Sequence, residues 1–571
     1  MNRLRPIFLA VAVVVSALLA YGFLTLPKAQ PSDAEGFSAA RVLEDIEVIS
    51  RKHHSVAHPE ERAEVRDYLV GRLEGMGGNV SLYTYDSIPG PKILGDSFVF
   101  EAVDILAEFP PVEASEDPTY LMFVAHYDSR HLHPMPKDTV LSYGAADDGY
   151  GIGVILESVS ELLEVRQDWK QGIKVLFTDA EESGMLGMEA IWENDRQVFD
   201  NVGFLINIEG RGTWGPALLF ETCPGNEKIM DLYAETSKYK YTYSLTSVVY
   251  SFLPTFTDFT IVMDDVPGVN FSTIAEVNHY HTDLDNFDNV NAASVQHYGA
   301  QILPLAMRYL TDPVFADKDY LRGEKNTVNF TVPALGLFNV SKTAYMIINI
   351  IVFILFVLLV ALEALRGRVK AMDIVKQACV VLCLAISVLA IGELVAYVSA
   401  VIVGARFKPF GIVQGVPFDN FVMAMAMVLM VVIVVAIYLV TRTAAIRQTS
   451  GSMRASAASN AAEKHAFKML YGALMLTFVL SVVLVFAIGE NFMFLIPLTC
   501  AALAMILWHI TSLKVWLVAA MVVIMLHAFS FLFALSMALS IGALGAVMMI
   551  AFCDVMVLVP LADIYMMNTR N

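Results

Sequence analysis

The pattern of apolar and polar positions changes character once along the chain. From about Gln30 to Asp317, short apolar runs alternate with polar stretches. From about Leu337 onward, apolar residues dominate in stretches of about twenty, the length a helix needs to cross ~30 Å of hydrocarbon. In the first part, "TYLMFVAHYD", "GIKVLFTDAEE" and "VGFLINIEG" are short continuous apolar runs that stop at polar clusters. Such runs read as strands buried on both faces. Between the first two lies "GIGVILESVSELLEV", whose apolar positions have helical spacing. "HPEERAEVRDYLVGRLEGMGG" predicts a further helix, with Pro59 in its first turn, Glu60 and Glu61 favourable to the helix dipole, and Gly77 at its end. Strands alternating with helices define an α/β domain: a mixed, mostly parallel central sheet flanked by helices. In open sheets of this kind, sites lie beyond the carboxyl ends of the strands.

The second part reads as an all-α, multi-span membrane domain, with spans at roughly 343–365, 374–403, 420–441, 469–488, 492–512, 515–536 and 538–561. An earlier apolar run, Ile7 to Leu26, follows Arg3 and Arg5. A cleaved signal peptide and an uncleaved signal anchor both fit it; its length and the lack of a clean cleavage site favour the anchor. The division is then 1–29 anchor, 30–317 soluble domain, 318–342 linker and 343–571 membrane domain. The basic loops are Arg366–Lys370 and Arg442–Lys468, which the positive-inside rule places in the cytoplasm. Counting the anchor, eight spans leave both termini cytoplasmic and the soluble domain exoplasmic: periplasmic in a bacterium, lumenal in a eukaryote. The lipid bilayer is thus one expected partner.

Composition sharpens this reading only in part. Of 571 residues 56% are hydrophobic and 17% charged, and the formal charge is −19. That balance argues against nucleic acid as a partner, because a phosphate backbone calls for a basic face. Of five cysteines only Cys223 lies in the soluble part, so no disulfide forms within it. Nothing in the sequence indicates an oligomeric state.

The candidate chemistry sits where the apolar runs end. "VAHYDSR" supplies His126 and Asp128, "GAADDGYG" Asp147 and Asp148, "DAEESG" Glu181 and Glu182, "NIEGRG" Glu209, and "NHYHTDLDN" His279 and His281. Adjacent carboxylates repel and are costly to bury unless a cation compensates them. Imidazole and carboxylate without thiolate suit Zn²⁺ or another first-row divalent ion in a catalytic site. Each fragment alone is a common accident; their shared position at the ends of core strands is not.

These motifs, in this order over about Phe37 to Leu310, resemble the co-catalytic di-zinc exopeptidases of peptidase family M28. The anchor, soluble domain and multi-span tail resemble the family's endoplasmic-reticulum and vacuolar membrane branch. The resemblance implies the zinc-exopeptidase fold and two Zn²⁺ per chain. His126 and Glu209 would hold the first ion, Glu182 and His281 the second, and Asp147 would bridge them. Secreted members carry an aspartate where Glu209 stands. Glu181 would be the general base, Asp128 the orienting partner of His126, and Tyr280 a further donor to the oxyanion. No ligand role carries over to Asp148 or His279. Arg211 and Asp258 are candidates for contact with a peptide substrate, Asp258 within a lining segment, Ser251–Phe271. The implied activity is that of a membrane-bound metallo-exopeptidase, foremost an aminopeptidase. A single-zinc, glutaminyl-cyclase-like aminoacyltransferase and a non-enzymatic receptor or transport role are the alternatives.

Overall fold

The structure is a computed structural model of the chain that describes residues 4–90, 97–112, 118–131, 141–251, 256–411, 413, 415–449 and 455–567. It divides into two compact units. One comprises residues 24–331 and 336–342, the other residues 1–23, 332–335 and 343–571. The first helix, α1 (Arg5–Leu24), belongs almost wholly to the second unit.

The first unit contains α2 (Ala39–Ile49), α3 (Pro59–Gly75), β1 (Asn79–Pro89), β2 (Val99–Phe109), β3 (Tyr120–His126), α4 (Gly149–Leu163), β4 (Gly172–Thr178), α5 (Leu186–Asn194), β5 (Val202–Gly210), β6 (Trp214–Thr222), α6 (Glu227–Thr236), α7 (Ser244–Tyr250), α8 (Asp258–Val262), β7 (Gly268–Ala275), α9 (Ala292–Thr311), β8 (Thr327–Val332) and β9 (Gly336–Ser341). Seven strands form one sheet in the order β1-β2-β4-β3-β5-β7-β6. The four inner strands β4, β3, β5 and β7 run parallel, whereas β1, β2 and β6 add antiparallel edges. Every residue of β3, β4, β5 and β7 is buried, which is why these strands read as continuous apolar runs rather than alternating ones.

Around the sheet, α4 packs on β5 and β3, and against α2 and α9. Two glycines on α4 permit this. A Cβ at Gly153 would lie 2.7 Å from Val42 Cγ1 on α2, and one at Gly149 2.9 Å from the Gly144 carbonyl. The helix starts where it does because the Asp148 carboxylate accepts the Gly151 N–H at 2.9 Å. The stretch 318–342, expected as a linker, contains the two-stranded sheet β8-β9. Phe330 on β8 bridges to Tyr243, and the Phe330 ring stacks on Phe338 of β9.

In the second unit follow α10 (Lys342–Leu365), α11 (Ala371–Val403), α12 (Asp419–Thr449), α13 (Ala455–Ile488), α14 (Phe492–Thr511), α15 (Val515–Leu539) and α16 (Leu544–Met566). With α1 they make eight helices among the described residues that are long and apolar enough to cross a membrane. Most bounds differ from the expected spans by a few residues; α13 begins 14 residues earlier than expected, α12 ends eight later, and α16 begins six later. The break between the last two, where the sequence shows no strongly polar residue, falls at Ser540–Ala543. Inside this unit Asn491 ties three helices: it accepts from the Tyr345 hydroxyl at 2.5 Å and donates to Asn349 Oδ1 at 2.7 Å and Ser481 Oγ at 2.7 Å. Buried amides of this kind hold apolar helices in one register.

Candidate metal centre

The carboxyl ends of β3, β4 and β5 lie side by side because His126 pairs with Thr178, and Val124 with Asn207, in parallel register. His126 is the last residue of β3, Glu209 the penultimate residue of β5, and Glu181 and Glu182 form a single 3₁₀ turn just past β4. Asp147 comes from the loop before α4 and His281 from the loop after β7. Five segments at one sheet edge thus converge on a space that none of them could define alone.

Two groups of ligand-type atoms meet there. His126, Asp147 and Glu209 form one, and Asp147, Glu182 and His281 the other, each with one ligand atom apiece and all three atoms within 4.8 Å. Asp147 belongs to both. Its Oδ1 lies 3.3 Å from His126 Nε2, its Oδ2 3.2 Å from His281 Nε2. His126 Nε2 is 3.9 Å from Glu209 Oε2, and His281 Nε2 is 3.2 Å from Glu182 Oε1. All five side chains are buried or nearly so. Among the described residues, Asp147 Oδ2, Glu182 Oε1 and His281 Nε2 have no hydrogen-bond partner. Buried polar atoms left in this state cost free energy. Three of them aimed at one another, with lone pairs inward, are the donor set of a divalent cation.

The electrostatics agree. Burial pushes the Glu209 carboxyl up to about 8, against the opposing pull of His126. Burial likewise lifts Glu181 well above the ordinary carboxylate range. Burial would raise Asp147 too, but the two histidines together hold it well below its usual value. A site that crowds this many acids out of water is balanced by positive charge.

Neighbouring groups fix the ligands. His126 Nδ1 lies 2.9 Å from the Asp128 carbonyl and 3.4 Å from its Oδ1, which leaves Nε2 to face the site. The same Asp128 Oδ1 accepts the Glu181 N–H at 2.9 Å, so one carboxylate orients both the histidine and the turn carrying Glu181. Asn207 donates to Glu209 Oε1 at 3.0 Å, leaving Oε2 toward His126. Asp285 accepts the Ala146 N–H at 2.7 Å and the Ser142 hydroxyl at 2.9 Å, holding the loop of Asp147. The Arg130 guanidinium bonds both the backbone carbonyl and Oε2 of Glu182, at 2.5 and 3.1 Å. Gly210 allows the loop to come this close, since a Cβ there would sit 1.7 Å from the Ala146 carbonyl oxygen.

The sequence reading selected His126, Asp128, Asp147, Glu181, Glu182, Glu209 and His281, and the structure brings all seven together. Tyr280 stacks on the His281 ring with centroids 3.6 Å apart. Arg211 stands beside it, its guanidinium carbon 6.0 Å from the Tyr280 ring centroid. Among the described residues Arg211 makes no ion pair, and its Nη2 lacks a hydrogen-bond partner. Asp258, buried at the head of α8, accepts the Thr178 hydroxyl at the end of β4. Its expected lining segment supplies α8 and β7, with 252–255 outside the described residues. Asp148 caps α4, and the Nδ1 of His279 lies 2.7 Å from the Thr213 hydroxyl. Asp285, Arg130 and Asn207 were not selected. Asp285 stands four residues after His281 in the quoted "YHTDLDN", the one hint the sequence offered.

A parallel-cored sheet thus carries two groups of metal-ligand type at its carboxyl edge. Residues 104–306 match the model of peptidase family M28. Endoplasmic reticulum metallopeptidase 1 of Homo sapiens is 29% identical over 210 residues, covering 35% of this chain and 22% of the relative. A vacuolar membrane protease of Candida dubliniensis is 26% identical over 261 residues, covering 44% of this chain and 26% of the relative. The chain spans about a quarter of the length of the curated relatives it matches. Among solved structures, a glutaminyl cyclase of Porphyromonas gingivalis aligns with 48% of this chain and 98% of its own at 19% identity and a TM-score of 0.40. A Zn-dependent exopeptidase of Parabacteroides distasonis aligns with 48% and 98%, at 18% identity and a TM-score of 0.39.

Asp128→Asn retains the side chain's shape but removes the charge beside His126. It is expected to weaken metal binding about 10–100-fold, the usual cost of losing a histidine's carboxylate partner. Equilibrium dialysis against zinc at fixed pH reads this directly.

Proposed function

We propose that this chain is a membrane-bound zinc exopeptidase, foremost an aminopeptidase, that hydrolyses peptides on the exoplasmic side of its membrane. One observation carries the reading: two ligand triples share a single carboxylate, Asp147. His126, Asp147 and Glu209 would hold one zinc ion, and Asp147, Glu182 and His281 the other. Bound there, the pair supplies a Lewis acid for the scissile carbonyl and an acidified water as nucleophile.

The protein's own groups do the rest. Glu181 takes the proton from the attacking water and returns it to the leaving amine. Its turn is held by Asp128, so the base and the first histidine keep a fixed relation. Burial disfavours its charged form, which suits a group that must carry a proton and then release it. Tyr280 offers a donor to the oxyanion, and Arg211, the cation without an acidic partner, contacts the substrate's polar backbone. The completeness of both ligand sets favours hydrolysis over the single-zinc aminoacyltransferase reading and over a receptor. Two basic loops next to α10–α11 and α12–α13 support cytoplasmic termini.

The test is a peptide library with free and blocked termini, incubated with the purified full chain loaded with zinc. Release of single residues from free amino termini is the expected result. Cleavage unaffected by amino-terminal blocking would overturn the aminopeptidase assignment, and cyclisation of amino-terminal glutamine without hydrolysis would favour the transferase.

A further inference from the structure

A second carboxylate, outside the metal cluster, is held in an unusual way. Glu221 lies near the end of β6, at a register shift where Leu219 pairs with Phe271 and Glu221 with Asn270. Phe220, the extra residue, turns its carbonyl out of the ladder, and the Thr246 and Ser247 hydroxyls of α7 donate to it at 3.0 and 2.8 Å. A bulge of this kind re-aims the side chain that follows it. Glu221 is aimed onto the face that carries the metal ligand Glu209. Asn207 donates to both Glu209 Oε1 and Asn270 Oδ1 at 3.0 Å, and Asn270 donates to Glu221 Oε2 at 3.2 Å. One amide ladder therefore crosses β5, β7 and β6 from the metal ligand to Glu221.

Glu221 is 6% exposed, and among the described residues no hydrogen bond or ion pair engages its other oxygen, Oε1. The Tyr250 ring, at the end of α7, packs edge-on against Phe220 with centroids 5.1 Å apart. The Tyr250 phenol is raised by burial, and also by the charges of Glu221, Glu209 and Glu181. The scaffold thus presents one uncommitted acceptor on a nearly buried acid, joined to Glu209 by the amide ladder.

We propose that Glu221 is a specificity-determining residue that receives the cationic side chain, lysine or arginine, of the peptide residue bearing the scissile carbonyl. This rests on the peptidase reading above. Spacing selects a side chain over the substrate's own amino group. Two strand separations, about 10 Å, lie between the backbones carrying Glu209 and Glu221. An α-amine one bond from the residue whose carbonyl meets the metals cannot span that, whereas an ammonium on a four-carbon stem or a guanidinium can. Burial lifts the Glu221 carboxyl to about 7, so as it stands the acid lacks a compensating charge. An arriving cation supplies it.

The experiment uses the zinc-loaded full chain in detergent and isothermal titration with two probes of the same carbon skeleton, lysine hydroxamate and norleucine hydroxamate. Both chelate zinc; only one carries a side-chain charge. The wild type is expected to bind the lysine probe about tenfold tighter or more. Glu221→Gln is expected to remove that preference while leaving the norleucine probe within about twofold, and Glu221→Asp, which keeps the charge, to retain part of it. Equal wild-type affinity for the two probes overturns the inference, as does equal loss of both in Glu221→Gln, which would mark a structural role. Binding of neither probe overturns the peptidase reading and this inference with it.

Discussion

Asp147→Asn is expected to empty both metal positions at once. The side chain keeps its size, but the group that would serve both ions loses its charge and one of its two oxygens. Asp147 faces His126 with one oxygen and His281 with the other, and 97% of the residue's surface is out of solvent. Removing one partner of a buried charged set costs about 3–5 kcal/mol. That corresponds to roughly 10²–10⁴-fold in affinity. At zinc concentrations that saturate the wild type, elemental analysis is expected to show well under one ion per chain, with hydrolysis lost in parallel. Replacement of Glu182, which serves one triple only, is expected to spare the other position. A chain that kept both ions after Asp147→Asn would show that the two triples are not joined through this residue.

Glu181→Gln separates chemistry from binding. Glu181 belongs to neither ligand triple, so both ions are expected to remain. What disappears is the group that takes and returns a proton, and kcat is expected to fall about 10²–10⁴-fold with KM little changed. Single-turnover assays beside elemental analysis of the same preparation check both halves. Loss of metal together with activity would instead make Glu181 a ligand. The two adjacent glutamates of "TDAEESG" are therefore expected to differ in kind: Glu182 in occupancy, Glu181 in turnover.

Much of this was legible in the sequence, for a definite physical reason. In a parallel sheet the ligands must sit at strand ends. The strands are buried on both faces, so each acid or histidine interrupts an apolar run visibly, as His126, Glu181 and Glu209 do. The groups that hold the ligands leave no such mark. Asp285 acts on a loop 138 residues away, and Asn207 lies inside a strand where it reads as one polar residue among apolar ones. Arg130 follows His126 by four residues, but its role depends on the turn at Glu182 coming alongside, which no local pattern encodes. Asp258 likewise has a partner that no local pattern encodes, the Thr178 hydroxyl at the end of β4. The segment 318–342 reads as a connection because its strands are only six residues each, too short for alternation to stand out.

The account stands on two ions sharing one carboxylate, and counting them tests it most directly. Equilibrium dialysis of the full chain against zinc, followed by elemental analysis per mole of protein, is expected to saturate at two ions per chain. Saturation at one ion, or at none, would contradict it.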